Sequence, residues 1–298
     1  MIDSALFGRT GHRSTRVIFG GAGLGDANRD IADELYSLLM HYGINHLDTA
    51  RSYGSAELLM ASWLKKSRDK FFLASKTLAR DYDGARRGLE ESLTRLGVDK
   101  IDLLQLHDLV EEDEWETAHG ENGAVRALVQ AREEGLIDYI GVTGHGLRIA
   151  KMHLKSLERF DFDSVLFPYN PVLLSIESYC SDVQKLLEKC RTEGVAIQTI
   201  KAIARRRYPD PMPGKEGDDT RISWYEPLAD NSAIRHAVDF VLSQPDMFLV
   251  GPSDWRQLPK VLASAELFTG SFDQNQVNAD IERLSIEPLF DGKGLEKI

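Results

Sequence analysis

The chain has 298 residues, 42% hydrophobic and 28% charged, which is ordinary soluble globular usage and excludes a disordered class. Its net charge of -11 argues against nonspecific binding to nucleic acid or an anionic membrane, both of which need a basic surface. No stretch approaches the roughly 18 apolar residues of a membrane span, and the opening MIDSALFGRTG lacks the layout of a secretory leader, so a cytoplasmic location is expected.

Short apolar or β-branched runs recur along the chain: STRVIFGG, INHLDTA, FFLASKT, DKIDLLQLHD, IDYIGVTG, FDSVLFPYN, GVAIQTIKAI and DMFLVGPS. A helix-like segment follows each, starting near Asp30, Ser55, Asp83, Asn122, Leu147, Ser178, Asn231 and Asp254, and several starts carry side chains that accept orphan N–H bonds. Gly43, Gly97, Gly135 and Gly194 close four of these helices. Eight strand-helix units with nearly continuous apolar strands predict a parallel (β/α)8 TIM barrel, one domain over residues 1–298. An open doubly wound sheet is the rival architecture. Its one supporter is GGAGLGD at Gly20 to Asp26, where Asp26 breaks the G-x-G-x-x-G spacing, so this segment is expected to be a flexible loop at the barrel mouth. The longest irregular piece, Ala204 to Asp230, reads as a loop from its Pro, Gly and charge content. Cys180 and Cys190 fall on one predicted helix about 15 Å apart, too far to bridge, and are expected to be reduced packing residues.

Chemistry in such a barrel sits at the carboxyl ends of the strands. The second strand ends on Asp48, the third carries Lys76, the fourth ends on His107, and Tyr53 lies in the loop after the second. Taken singly, each has a bland alternative: a turn acceptor, a solvated lysine, a satisfied core histidine, a surface tyrosine. Together at one mouth they suggest carbonyl reduction or its reverse, in which a ketone gaining hydride develops negative charge and needs a proton donor. A phenol is a weak acid at a pKa near 10, and a neighbouring ammonium is expected to draw it toward neutrality. Asp48 would hold and balance Lys76, and His107 would orient the carbonyl.

The pattern LDTARSYGSAE, then SKT, then LLQLHD resembles the aldo-keto reductase superfamily, and LFGRTGHRSTRVIFGGAGLG resembles that family's N-terminal β-hairpin and first strand. The resemblance implies that Tyr53 is the general acid, that Lys76 and Asp48 tune it, and that His107 positions the carbonyl. It also implies a hydride from NADP, with NAD possible, bound without a Rossmann fold, and a small-molecule carbonyl substrate with no nucleic-acid or membrane partner.

Some positions depart from the family's pattern. Where the family anchors the nicotinamide amide with Ser, Asn and Gln, this chain has Thr143, Gly144 and Leu166; where it stacks a tyrosine, this chain has Ile200, followed by Lys201 in place of a small polar residue. Gly251 and Ser253 are expected to hold cofactor phosphate, with Ser253 capping the next helix and Arg256 reaching a 2'-phosphate, although Asp254 would repel one. Lys260 stands where the family often has a Glu-Asn pair at the adenine. Lys201 and Arg205 to Arg207 could fold over the pyrophosphate. Tyr82, Trp115, Trp224 and Tyr225 are candidate pocket residues, and the tail after Phe272 could cover the mouth. Two other functions compete: a cofactor-binding or sensor protein with weak or no catalysis, and a metal-dependent hydrolase using His46, Asp48, His107 and His145.

Overall fold

A computed structural model describes residues 1–208 and 221–292 of the chain. At the amino terminus β1 (Ser4–Leu6) and β2 (Arg13–Thr15) pair antiparallel around a turn that begins with Phe7. Phe7 is fully buried, its ring 4.8, 5.5 and 5.1 Å from those of His46, Phe72 and Phe248. The hairpin therefore plugs the bottom of the sheet that follows.

That sheet comprises β3 (Val17–Gly20), β4 (His46–Asp48), β5 (Phe72–Thr77), β6 (Ile101–Leu106), β7 (Ile137–Thr143), β8 (Ser164–Pro168) and β9 (Ala196–Ile200). Between β9 and the last barrel strand lies a second hairpin, β10 (Ala204–Arg207) with β11 (Tyr225–Pro227), and β12 (Met247–Val250) then closes a parallel barrel in the order β12-β3-β4-β5-β6-β7-β8-β9. The helices around it are α1 (Arg29–Tyr42), α2 (Ala56–Ser67), α3 (Tyr82–Leu96), α4 (Glu112–His119), α5 (Ala124–Glu133), α6 (Ile149–Arg159), α7 (Pro171–Leu174), α8 (Glu177–Glu193), α9 (Asn231–Leu242), α10 (Leu258–Glu266) and α11 (Gln274–Leu284). The expected (β/α)8 barrel and N-terminal hairpin are both present.

Side chains alternate across each strand, so every second residue enters the barrel. On β5 these are Phe72, Ala74 and Lys76, and on β6 they are Leu103 and Gln105, with His107 just beyond. The interior thus grades from an aromatic floor, through a polar middle, to ionisable groups at the rim. A separate, larger apolar core lies between strands and helices.

Several local expectations are corrected. GGAGLGD is a 3-10 helix, Gly21–Asp26, packed against the loop after β4. The segment after β9 contains the β10–β11 pair; residues 209–220 lie outside the described residues. Three helices lie outside the expected strand-helix units: α4, whose first turn holds Glu112, Asp113 and Glu114 as the helix dipole favours, the single-turn α7, and α11. Cys180 and Cys190 are both free on α8, and burial pushes the Cys190 thiol up to about 12.

Candidate active site

Asp48 ends β4 and Lys76 sits one residue before the end of β5, both pointing inward at the rim and both buried. The Lys76 ammonium donates to Asp48 Oδ2 at 2.5 Å and to the Thr49 carbonyl at 2.8 Å. Asp48 Oδ1 accepts from Gln105 Nε2 at 2.8 Å, and Gln105 Oε1 accepts in turn from Gln198 Nε2 at 2.9 Å. Both glutamines are fully buried. Sequence reasoning missed them; the available signal was their place two residues before His107 and Ile200, on the same inward rows. Burial opposes the charge on Lys76, but Asp48 and Tyr53 outweigh it and hold its pKa above the ordinary lysine value.

Tyr53 reaches the rim from a tight turn. Gly54 follows it at φ 44°, and a Cβ there would lie 2.6 Å from the Gly25 carbonyl, so the turn can press against the 3-10 helix only with glycine at this position. Lys76 Nζ lies 5.1 Å from the centre of the Tyr53 ring, and the Tyr53 hydroxyl lies 3.5 Å from His107 Nε2, with the two rings nearly perpendicular. Burial raises the phenol's pKa and Asp48 adds to the rise, while Lys76 pulls it down without prevailing. The expected shift toward neutrality is therefore reversed: the phenol is fully protonated at neutral pH. His107 is neutral as well, because burial first, then the charges of Lys76, Arg80 and Lys201, lower its pKa to about 3. Its Nδ1 faces the Ser52 hydroxyl at 3.4 Å.

These four groups line one cleft of about 50 Å³, together with Thr143, Leu166, Ile200, Lys201, Gly251 and Ser253. Leu166 and Ile200 give it an apolar wall. The Thr143 hydroxyl donates to the Leu106 carbonyl at 3.2 Å and accepts from Asp108 N–H at 3.2 Å, so its proton is already committed. Gly144 does not line the cleft, and a Cβ there would fall 2.2 Å from Ile149 Cδ1, so a side chain at this place requires Ile149 to shift.

Other expected contacts resolve differently. The helix after β12 is capped by Asp254 and not by Ser253: Asp254 Oδ1 accepts from Arg256 N–H, and the Asp254 carboxylate takes the Arg256 guanidinium at 2.8 and 2.6 Å. Arg205 and Arg206 pair with Glu226, Arg207 donates to the Leu289 carbonyl at 2.6 Å, and Lys260 donates to the Ala229 carbonyl at 2.8 Å. The three arginines thus tie the second hairpin together and to the chain's final segment. That segment brings Phe290, fully buried, to within 6.0 Å of the Trp224 ring and 6.5 Å of His145, so the tail does pack at the rim. Trp115 is buried on the outer helices, where its Nε1 donates to Ser156, and the Tyr82 hydroxyl donates to Gln130; neither lines the cleft. His46 lies at the barrel's floor against Phe7, bonded to the Ser14 hydroxyl, and does not line the cleft with Asp48, His107 and His145, so the four residues of the hydrolase reading do not come together there. Among the described residues no three His, Cys, Asp or Glu side chains come together as a metal-binding group.

The family model of the aldo/keto reductase family matches residues 16–279. The chain belongs to this family. An L-galactose dehydrogenase of Arabidopsis thaliana is 27% identical over 68% of this chain and 66% of its own length. An NAD/NADP-dependent indole-3-acetaldehyde reductase of Schizosaccharomyces pombe is 28% identical over 58% of each chain. The chain spans less than two thirds of the length of either. Among solved structures, an aldo-keto reductase from Klebsiella pneumoniae in complex with NADPH superposes with a TM-score of 0.67 at 16% identity, covering 100% of both chains. The holo form of an aldo-keto reductase from Bacillus halodurans gives 0.67 at 20% identity, covering 99% of this chain and 100% of its own. The barrel of this aldo/keto reductase family member is therefore the fold of those proteins.

Proposed function

We propose that this chain is an NADP(H)-dependent reductase of small aldehydes or ketones, with NAD(H) as the possible alternative cofactor. The observation that carries the reading is the Lys76 ammonium, fixed by Asp48 and Thr49 and set against the Tyr53 ring in the cleft that His107 also lines. Tyr53, protonated at neutral pH, donates its proton to the oxygen that becomes an alkoxide. Lys76 stays cationic and stabilises the phenolate left behind, while Asp48 balances the ammonium. Neutral His107 orients the carbonyl by donating from Nε2, with Nδ1 turned to Ser52. The dinucleotide, when bound, supplies the hydride.

The residues present suit such a group. Leu166 and Ile200 offer an apolar wall to a planar ring, Gly251 allows close backbone approach, and Ser253 and Thr143 offer hydroxyl oxygens. Arg256 is the candidate for a 2'-phosphate, but the phosphate must draw it from Asp254. A second reading, a dinucleotide-binding protein without turnover, draws on the committed Thr143 hydroxyl and the apolar Leu166. Titration with NADPH and NADH followed by a panel of aldehydes and ketones tests both: the reductase reading expects oxidation of the preferred dinucleotide with at least one carbonyl, and tight binding with no turnover of any would favour the second.

A further inference from the structure

Lys201 is an amine for whose charged form the described residues provide no carboxylate within ion-pair distance. It is 9% exposed, it lines the same cleft as Tyr53 and His107, and Asp108 acts on it only through space. The rings of Trp224 and Tyr225 lie 4.9 and 4.6 Å from its ammonium, an arrangement that holds a cation without neutralising it. The backbone is pinned too. Lys201 adopts a left-handed φ of 67°, and its carbonyl accepts from Asn170 Nδ2 at 3.0 Å and from Ala204 N–H at 3.2 Å. A lysine stem ordinarily lets its head group reach water; this one keeps the ammonium inside, where an unneutralised charge costs free energy that a bound anion would offset. Burial draws its pKa down to about 7, as that cost requires.

The lining of the cleft places the anion: His145 and His107, just past the ends of β7 and β6, share it with Lys201. In the barrel order these strands stand opposite β3 and β12, whose loops carry Gly20 to Ala22 and Gly251 to Ser253. His145 lines the same cleft, and its Nδ1 is enclosed without a hydrogen-bond partner among the described residues.

We propose that Lys201, seconded by His145, is the anion-recognising element of the substrate cavity, and that the substrate is a small carbonyl compound bearing a carboxylate. This rests on the reductase reading and names its substrate class. A single ammonium beside a neutral imidazole matches a carboxylate better than a phosphate ester, which carries about -1.5 to -2 at neutral pH.

The test compares wild type, Lys201→Met and Lys201→Arg. Two readouts are taken: kcat/KM for pyruvate, methyl pyruvate and glyceraldehyde 3-phosphate, and calorimetric binding of oxamate, oxamide and NADPH. The preference for pyruvate over methyl pyruvate should fall about tenfold or more in Lys201→Met and largely survive in Lys201→Arg, with oxamate affinity falling in parallel. Equal losses on pyruvate and methyl pyruvate, a loss of NADPH affinity matching the loss on oxamate, or a preference for the phosphorylated aldehyde would each overturn the assignment. If wild type reduces no carbonyl yet binds oxamate through Lys201, the anion site stands and the reductase reading fails; if it reduces carbonyls with no charge preference, the reverse holds.

Discussion

Lys76 is where stability and chemistry meet at the level of single residues. Its ammonium is the sole cation bonded to the Asp48 carboxylate among the described residues, and both groups are nearly inaccessible to water. Removing one member of such a pair leaves a buried charge that Gln105 alone must satisfy. Lys76→Met is accordingly expected to lower unfolding stability by about 3–5 kcal/mol, measured by urea titration, and to abolish turnover. A phenol raised above its ordinary pKa also gives the reaction a direction: alcohol oxidation, which needs the phenolate, should accelerate as pH rises through the alkaline range, and pH profiles of the two directions will show whether it does. Asp48, Tyr53, Lys76 and His107 were legible in the sequence because each ends or follows an apolar run. Gln105 and Gln198 were marked only indirectly, by lying two residues before His107 and Ile200, since both faces of a parallel barrel strand are buried and composition alone does not distinguish the inward row.

At the level of elements, the barrel strands and most helix starts could be read because apolar runs and capping residues alternate regularly. The β10–β11 hairpin could not, because each strand is only three or four residues long and one of them is the charged run Ala204–Arg207, whose guanidiniums find Glu226 and the Leu289 carbonyl across the chain. The start of the segment after β12, which we propose meets cofactor phosphate, shows the same limit. Asp254 is both helix cap and counterion, and it holds Arg256 away from any incoming phosphate. Asp254→Asn keeps a capping oxygen while removing the charge, so it should improve the ratio of NADPH to NADH affinity by roughly 1.5- to 5-fold, the range expected from loss of a partly exposed ion pair. An unchanged ratio in fluorescence titrations would mean that Arg256 does not meet the 2'-phosphate.

Across the whole molecule, burial lowers the proton affinity of several imidazoles, in the barrel and in the helices around it. His153 on α6 donates from Nε2 to the Leu166 carbonyl at 3.0 Å, and burial lowers its pKa to about 4 from an ordinary 6.5. Between those values the unfolded chain binds the extra proton, so the contribution is fully present above 6.5 and declines as pH falls toward 4. Unfolding free energies should show this side chain removing about 2 kcal/mol by pH 5, with a shallower decline in His153→Gln. The same enclosure that disfavours charged imidazoles keeps His107 neutral and Tyr53 protonated beside a permanently charged Lys76, which is the condition for proton delivery to a nascent alkoxide. The most direct measurement is single-turnover oxidation of bound NADPH by a reducible carbonyl, in wild type and in Tyr53→Phe at pH 7. Proton delivery by Tyr53 predicts a rate reduced by about 10²- to 10⁴-fold in the variant, whereas rates within threefold of each other would contradict it.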